Sequence, residues 1–423
     1  MMARVLFVVI PEKGHINPYI GPAQELQKRG HEIAFYALHD ITPQLRAAGF
    51  PRFFPGSDEN PAPPDANRGK FFAEKVRDKD WLRNWIKTLL VDFVPPQVDV
   101  LRRIVRDFRP DVLAIDSMVY QGAIVAELEK IPYAGLSSSL NPVADRSFTS
   151  ELMDTVQWLS PARDALFASY GVKAEFRVCD VVSPWVNTVF ATRSFVEPDS
   201  PPPQTFLVGP SIPGGRRGDE PPYPKDLKPR LIYMSLGSQI YYQPEAFHTV
   251  IEAIRGRQVQ LVLSVNELSK MDSMADLPRN VVALPYAPQL HLLRVHAHVM
   301  ITHGGANSVM EALWAGVPLL IHPICNDQFY QARCIERSGV GRRIDLDRAK
   351  SSEVWAAIDS LRRPEPYRQK AREVGTSYRN SDGALIAARL VEHLAAQRRP
   401  IVRRDDSDIN LLTSTLEPFL ASQ

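Results

Sequence analysis

Residues 298 to 341, HVMITHGGANSVMEALWAGVPLLIHPICNDQFYQARCIERSGVG, leave a chain little choice of architecture. The stretch predicts a short apolar strand (HVMIT), a tight polar turn from His303 to Ala306, and an apolar-periodic helix from Asn307 to Ala315. A buried strand (Val317 to His322), a polar loop with Asp327 and Gln328, and another helix follow. Two strand-to-helix turns side by side imply parallel α/β units, whose turns sit at the carboxyl ends of the strands, where ligands bind. A helix N-terminus there offers unpaired N–H groups to an anion. Gly304 and Gly305 would let a pyrophosphate approach the backbone closely, with the amides of Asn307 and Ser308 and the ring of His303 as donors. One turn into the helix, Glu311 is placed to accept from a ribose diol, and Asp327 and Gln328 could accept from sugar hydroxyls. Taken singly, Gly-Gly after a strand is an ordinary turn, and Asn or Ser before an apolar run an ordinary N-cap.

With 423 residues the chain exceeds one ordinary core, so two domains are expected. A net charge of +2 gives no electrostatic case for nucleic acid. Cys179, Cys325 and Cys334 show no C-x-x-C spacing, which argues against a disulfide framework or zinc site and fits a reducing, cytoplasmic setting. The opening MMARVLFVVIPEKGH reads as a first strand and not as a signal peptide, and no run of about 18 apolar residues exists to span a membrane. Prolines cluster at Pro61 to Pro64 and Pro198 to Pro229, marking a loop and a linker over 197 to 230.

In the first half, Val5 to Ile10 predicts a strand, PEKGHINP a turn into a helix from His15 to Lys28 closed by Gly30, and Ile33 to Ala37 the next strand. The turn lacks G-x-G-x-x-G and no P-loop occurs, which weakens dinucleotide and P-loop readings. A histidine in a helix's first turn feels the positive end of the macrodipole, which keeps a neutral nitrogen available as a base. Farther on, Asp116 stands at the carboxyl end of a strand over Val112 to Ile115, whereas Asp111 begins that strand and lies at the wrong end. If the strands are parallel neighbours, Asp116 and His15 share one sheet edge, and the carboxylate could orient the ring.

Together, H-G-G-x-N-S-x-x-E and an Asp-Gln pair sixteen residues beyond Glu311 resemble the donor-binding signature of family 1 glycosyltransferases, the nucleotide-sugar-dependent enzymes of GT-B fold. His15 and Asp116, 101 residues apart, resemble that family's catalytic dyad. The resemblance covers about residues 3 to 397. It implies two Rossmann-like, doubly wound parallel-sheet α/β domains facing a cleft. Residues 1–210 would bind the acceptor and 211–365 the donor, helices in 366–399 would cross back to the first domain, and 400–423 would be a disordered or loosely docked tail. It implies that His15 deprotonates an acceptor hydroxyl, which attacks the anomeric carbon in line with inversion, while Asp116 holds the tautomer. It places the turn with Gly237 and Ser238 at the donor phosphates. In NVVALPYAPQLHLL it puts Tyr286 where many members stack tryptophan on the nucleobase, with Ala287 and Gln289 following. Tyrosine stacks with less area. Uracil and thymine both stay open, with UDP ranked ahead of dTDP.

The implied activity is an inverting O-glycosyltransferase moving a hexose, on the strength of Asp327 and Gln328 glucose, to a hydroxyl of an apolar small molecule. Bacterial enzymes acting on macrolides, polyketides and carotenoids look most similar. Beyond the nucleoside diphosphate sugar as co-substrate no cofactor is expected, and the chain is expected to be a monomer or weak homodimer. Residues 71 to 94 and 98 to 108 predict an amphipathic helix pair carrying Trp81 and Trp85, which either packs on the first domain or walls an acceptor pocket. A second candidate wall spans 140 to 170, with Phe148, Met153, Trp158 and Phe167. His291, His296, His298 and His303 cross a helix-to-strand boundary without the i, i+4 pairing of a helical zinc site, so no metal is assigned. The D-x-D triplets at Asp78, Asp345 and Asp406 read as solvated faces. Two other classes fit parts of the pattern. One is a nucleotide-sugar epimerase or hydrolase of related fold, and the other a noncatalytic nucleotide-sugar-binding partner.

Overall fold

The computed structural model describes residues 2–57, 68–270, 276–363 and 366–423; the Pro61 to Pro64 cluster lies outside them. The chain divides into two compact units: Met1–Ala62 with Asp80–Asp219 and Arg379–Gln423, and Pro63–Lys79 with Glu220–Tyr378.

The first unit carries β1 (Arg4–Val8), β2 (Glu32–Ala37), β3 (Phe53–Pro55), β4 (Val112–Asp116), β5 (Tyr133–Ser137), β6 (Glu175–Arg177), β7 (Asp180–Val182), β8 (Val186–Val189) and β9 (Thr205–Leu207). Seven of these form a parallel sheet in the order β3-β2-β1-β4-β5-β8-β9, while β6 and β7 pair as a separate antiparallel hairpin. The all-buried VLAID of β4 is the near-continuous apolar run expected of a strand covered on both faces. The winding reverses between β1 and β4, paired from Val5↔Val112 to Val8↔Ile115. That is the switch point outside which open α/β sheets bind ligands.

The second unit repeats the plan with β10 (Leu231–Ser235), β11 (Leu261–Ser264), β12 (Val281–Leu284), β13 (Ala297–Thr302), β14 (Leu319–Ile321) and β15 (Gly341–Arg343). The order is β12-β11-β10-β13-β14-β15, again all parallel, with the reversal between β10 and β13. Each unit has its own apolar core.

The helix Lys13–Lys28 contains Pro18 and Pro22. Pro22 has no N–H for the carbonyl of Pro18, and the buried Ser211 hydroxyl donates to that carbonyl instead. Ser211 lies in the stretch expected to be a linker. Part of that stretch is ordered in the first unit, with β9 inside the sheet and Gly215 N donating to Gln24 Oε1 at 3.1 Å.

Two further expectations need correcting. The pattern over 71 to 94 is not one helix: it breaks into Arg68–Lys75, Lys79–Lys87 and a π-helical turn Thr88–Asp92 before Val94–Phe108. Its first piece belongs to the second unit, where Arg77 donates to Asp347 at 2.8 Å and to Gln243 at 3.0 Å. Residues 400 to 423, expected to be disordered or loosely docked, are integral to the first unit. Leu411 N donates to Leu207 O at 2.9 Å, so the tail covers the β9 edge, and the helix Thr413–Ala421 buries Leu416, Phe419 and Leu420. Phe419 packs edge-on against Phe206. Covering an edge strand this way satisfies backbone groups that would otherwise invite another chain.

The helix Tyr367–Arg379 stays with the second unit up to Tyr378, and Gly383–Gln397 lies with the first, Ala384 against Gly21.

Candidate functional site

At the first unit's switch point, the turn after β1 places His15 in the first turn of its helix and β4 ends on Asp116. The His15 Nδ1 to Asp116 Oδ2 distance is 2.7 Å. A carboxylate only accepts, so the Nδ1 nitrogen carries the proton and the ring's lone pair lies on Nε2. Asp116 is 1% exposed, and its other oxygen accepts from Met118 N at 3.0 Å, which locks the carboxylate's orientation. Ser138 Oγ stands 3.1 Å from His15 Nδ1. One helical turn on, the buried Tyr19 hydroxyl donates to Leu136 O at 2.8 Å; burial first, then the Asp116 charge, raise its pKa. Asp111, at the opposite end of β4, accepts from Arg4 N at 2.7 Å and serves the strand start.

Asp180 and Lys13 escaped the sequence reading. Burial pushes the Asp180 carboxyl up to about 7, against hydrogen bonds from Ser137 and Asn141 that pull it down. Its sequence signal is an aspartate inside the apolar run VCDVV, where a solvated charge is out of place. Burial also lowers the Lys13 pKa, partly offset by Asp219 at 3.9 Å.

Of the aromatic candidates, Trp81 and Trp85 stack in parallel with centroids 5.6 Å apart on Lys79–Lys87. Arg83 ties that helix to Glu151 of the helix Glu151–Ser169 at 3.2 Å, so the two candidate walls are neighbours. Trp158 is 45% exposed and Phe148 half-buried. Phe167 belongs to the core, packed against Tyr120 and Phe176.

At the second unit's switch point, the turns after β10 and β13 lie side by side because Ser235 and Thr302 are register partners. Gly237 (φ 84°) and Gly304 (φ 93°) adopt left-handed backbone, which lets each strand turn sharply. The His303 ring is sandwiched between glycines: a Cβ on Gly237 would meet its Nε2 at 2.8 Å, and one on Gly305 at 2.7 Å. Burial drives the His303 pKa down to about 4, against a backbone hydrogen bond at Ser235 that raises it, so the ring is neutral near pH 7, and among the described residues its buried Nδ1 finds no hydrogen-bond partner. The His303 ring therefore offers a dipole to its turn, without a charge of its own. The helix Ala306–Ala315 follows, with Gly305 as an N-cap that contributes no side chain, so its first-turn amides, including Asn307 and Ser308, point out of the turn uncapped. Ser238 follows Gly237 half-buried, and Asn266 Nδ2 donates to Gly237 O at 3.2 Å. A glycine cradle, bare amides and an orphaned ring nitrogen fit a diphosphate.

Glu311 is 2% exposed. Its carboxylate accepts from Gln289 Nε2 at 2.8 Å and Asn307 Nδ2 at 3.2 Å, and the Tyr233 hydroxyl backs Gln289 at 3.3 Å. This network holds Gln289, Glu311 and Ser308 together, with Ala287 buried and Tyr286 half-buried in the loop after β12. Asp327 is the N-cap residue of the helix Gln328–Arg337, with no side-chain cap bond. Gln328, expected on a loop facing sugar hydroxyls, is instead the first helical residue and 6% exposed. Its Oε1 accepts from Ile324 N at 2.8 Å and Cys325 N at 3.2 Å. The buried loop amides needed an acceptor, and this side chain supplies it.

The four histidines do not converge. His291 and His296 rings lie 5.7 Å apart, His298 Nε2 contacts Arg362 O at 3.2 Å, and His303 is enclosed by its glycines. Among the described residues no group of three or more metal-ligating side chains forms, and no helix is long and apolar enough to cross a membrane.

A sequence model of the family described as "UDP-glucoronosyl and UDP-glucosyl transferase" matches residues 229–380. The chain is 27% identical over 407 residues to the uncharacterized UDP-glucosyltransferase YojK of Bacillus subtilis, covering 92% of this chain and 96% of the relative. Among solved structures, it is similar to the glycotransferase of kitacinnamycin (TM-score 0.73, 22% identity, 92% and 98% of the two chains). It is also similar to the calicheamicin glycosyltransferase CalG4 (TM-score 0.70, 22% identity, 95% and 100%). With paired parallel sheets and relatives matched nearly end to end, the chain has the GT-B fold of these glycosyltransferases and is similar along its length to UDP-glucosyltransferases, its residues 229–380 matching the UDP-glucoronosyl and UDP-glucosyl transferase family.

Proposed function

We propose that this enzyme is an inverting O-glycosyltransferase that moves glucose from UDP-glucose to a hydroxyl of an apolar, hydroxylated natural product. The observation that carries this reading is the 2.7 Å bond from His15 to Asp116, which fixes the tautomer with its basic lone pair on Nε2. His15 takes the acceptor's hydroxyl proton as the oxygen attacks the anomeric carbon, and Asp116 stabilises the imidazolium that forms. The bond to the diphosphate breaks. The charge that develops there is met by the amides opening the helix Ala306–Ala315 and by the turn with Gly237, Ser238 and His303. Glu311 takes the ribose, Tyr286 the uracil face, and Asp327 the sugar hydroxyls, with Gln328 holding Asp327's loop in place. The first unit selects the acceptor, with the helices bearing Trp81, Trp85 and Trp158 as its walls.

The test is incubation with UDP-glucose and a panel of hydroxylated polyketides, macrolides, carotenoids and phenols, read by mass for added hexose. His15→Ala should lose nearly all transfer while calorimetry shows UDP binding retained. UDP release at the same rate with and without acceptor would instead support a hydrolase. Equal turnover of a donor sugar lacking the hydroxyls near Asp327 would remove the assignment of glucose.

A further inference from the structure

Beside the His15–Asp116 pair lies a second carboxylate that the proposed reaction does not use. Asp180 opens β7, is 1% exposed, and accepts from Ser137 Oγ and from Asn141 Nδ2, each at 2.6 Å. Ser137 ends β5 and Asn141 begins the 3-10 turn Asn141–Val143, so one carboxylate ties both ends of the segment Ser137 to Asn141. Just inside it, Ser138 Oγ stands 3.1 Å from His15 Nδ1. The strand carrying Asp180 is anchored on its other side too. Val181 N donates to Ser117 O at 2.8 Å, next to Asp116, and the Tyr120 hydroxyl donates to Cys179 O at 2.7 Å. One hairpin strand therefore sets the spacing between the loop that follows Asp116 and the loop that reaches His15.

Burying a carboxylate is costly, and a neutral amide could tie a turn at less expense. Burial raises the Asp180 pKa to about 7, and the titratable groups facing it are His15, Asp116, Tyr19 and Tyr120. We propose that Asp180 is a positioning residue for His15: by pinning Ser137 and Asn141 it holds the Ser138 hydroxyl against the imidazole and keeps the ring aligned on Asp116. This rests on the reading of His15 as the base, but the decisive measurement needs no turnover.

Proton NMR of the full chain with labelled histidine should show a sharp, downfield Nδ1–H resonance for His15, assigned by its loss in His15→Gln. Asp180→Ala and Ser138→Ala should each broaden or abolish it. The double variant Asp180→Asn with Asn141→Asp rebuilds the same pair with donor and acceptor exchanged, and should bring it back. In turnover of UDP-glucose, the two single variants should lose about 10- to 100-fold in kcat with an unchanged KM for the donor. Ser138→Ala keeps both Asp180 bonds, so it gives an answer even if Asp180→Ala does not fold. An unaltered resonance in Ser138→Ala overturns the inference, as does a folded exchange variant in which the resonance fails to return. Full activity in His15→Ala would sink the base reading while leaving the NMR result intact. An inactive His15→Ala beside an unaffected Ser138→Ala would sink only the role of Asp180.

Discussion

His15 Nδ1 and Asp116 Oδ2, 101 residues apart in the chain, come within 2.7 Å because β1 and β4 are parallel neighbours that both end at the same sheet edge. The aspartate is locked by a second bond to Met118 N, so its contribution can be tested with little disturbance of shape. Asp116→Asn keeps an acceptor but can present an amide N–H to the ring and stabilise the other tautomer. Turnover should fall by about 10²- to 10⁴-fold with UDP affinity unchanged by calorimetry. A loss smaller than about threefold would separate Asp116 from the chemistry.

Gly237→Ala tests the turn proposed to hold the donor. The new Cβ meets the His303 ring at 2.8 Å on a backbone with φ of 84°. Stability should drop by about 1–3 kcal/mol in chemical denaturation, and UDP affinity by at least about tenfold. Gly14→Ala, whose Cβ meets none of the described residues within 4 Å, is the matched control and should leave UDP binding intact.

His303 carries a pH signature. Its folded pKa is lowered to about 4 by burial, while an unfolded histidine titrates near about 6.5. Between those values the unfolded chain binds the extra proton. The stability from the neutral ring is therefore fully present above about pH 6.5 and is lost as pH falls towards 4, by up to about 3 kcal/mol. Denaturant titrations of the parent and His303→Asn at pH 7 and pH 5 should give a smaller acid-side loss in the variant; parallel lines would contradict the buried neutral ring.

Gln328→Ala would strip the acceptor from two loop amides, those of Ile324 and Cys325. An unfolding free energy lower by about 1–3 kcal/mol is expected. Gln328→Glu, which keeps an acceptor, should recover most of it. Equal stability of all three proteins would mean the loop finds its partners elsewhere.

Deleting residues 401–423 would uncover the β9 edge and the face of Phe206. The truncated protein should melt earlier and associate on concentration, seen by light scattering. A monodisperse product with the parent's melting temperature would count against a structural role for the tail.

The turn after β13 was legible as a turn because its signal is local: glycines, an N-capping run and a carboxylate lie within nine residues, His303 to Glu311. The strands β10 and β13 were legible for the same reason, as apolar runs punctuated by glycine. Asp180 was not, because its partners Ser137 and Asn141 lie about forty residues upstream and nothing local distinguishes a pinned carboxylate from a solvated one. Gln328 was read as facing sugar hydroxyls since its motif position suggested a ligand, whereas the amides of its own loop competed for its oxygen. The break between Lys75 and Lys79 was hidden because both pieces are amphipathic, and periodicity does not say which unit a helix serves. The tail's apolar residues follow no single period, since they cover a strand edge before forming a helix.

The helix Gly383–Gln397 lies against Lys13–Lys28, with Ala384 seated on Gly21 and Gly383 close to the carbonyl of Gly209. A ribosome releases the opening strands and their helix long before that cover exists, and the entire second unit is synthesised in between. The lobe begun first is thus completed last. A nascent chain stalled before Gly383 carries an unfinished apolar surface that a chaperone, or a neighbouring nascent chain, can occupy.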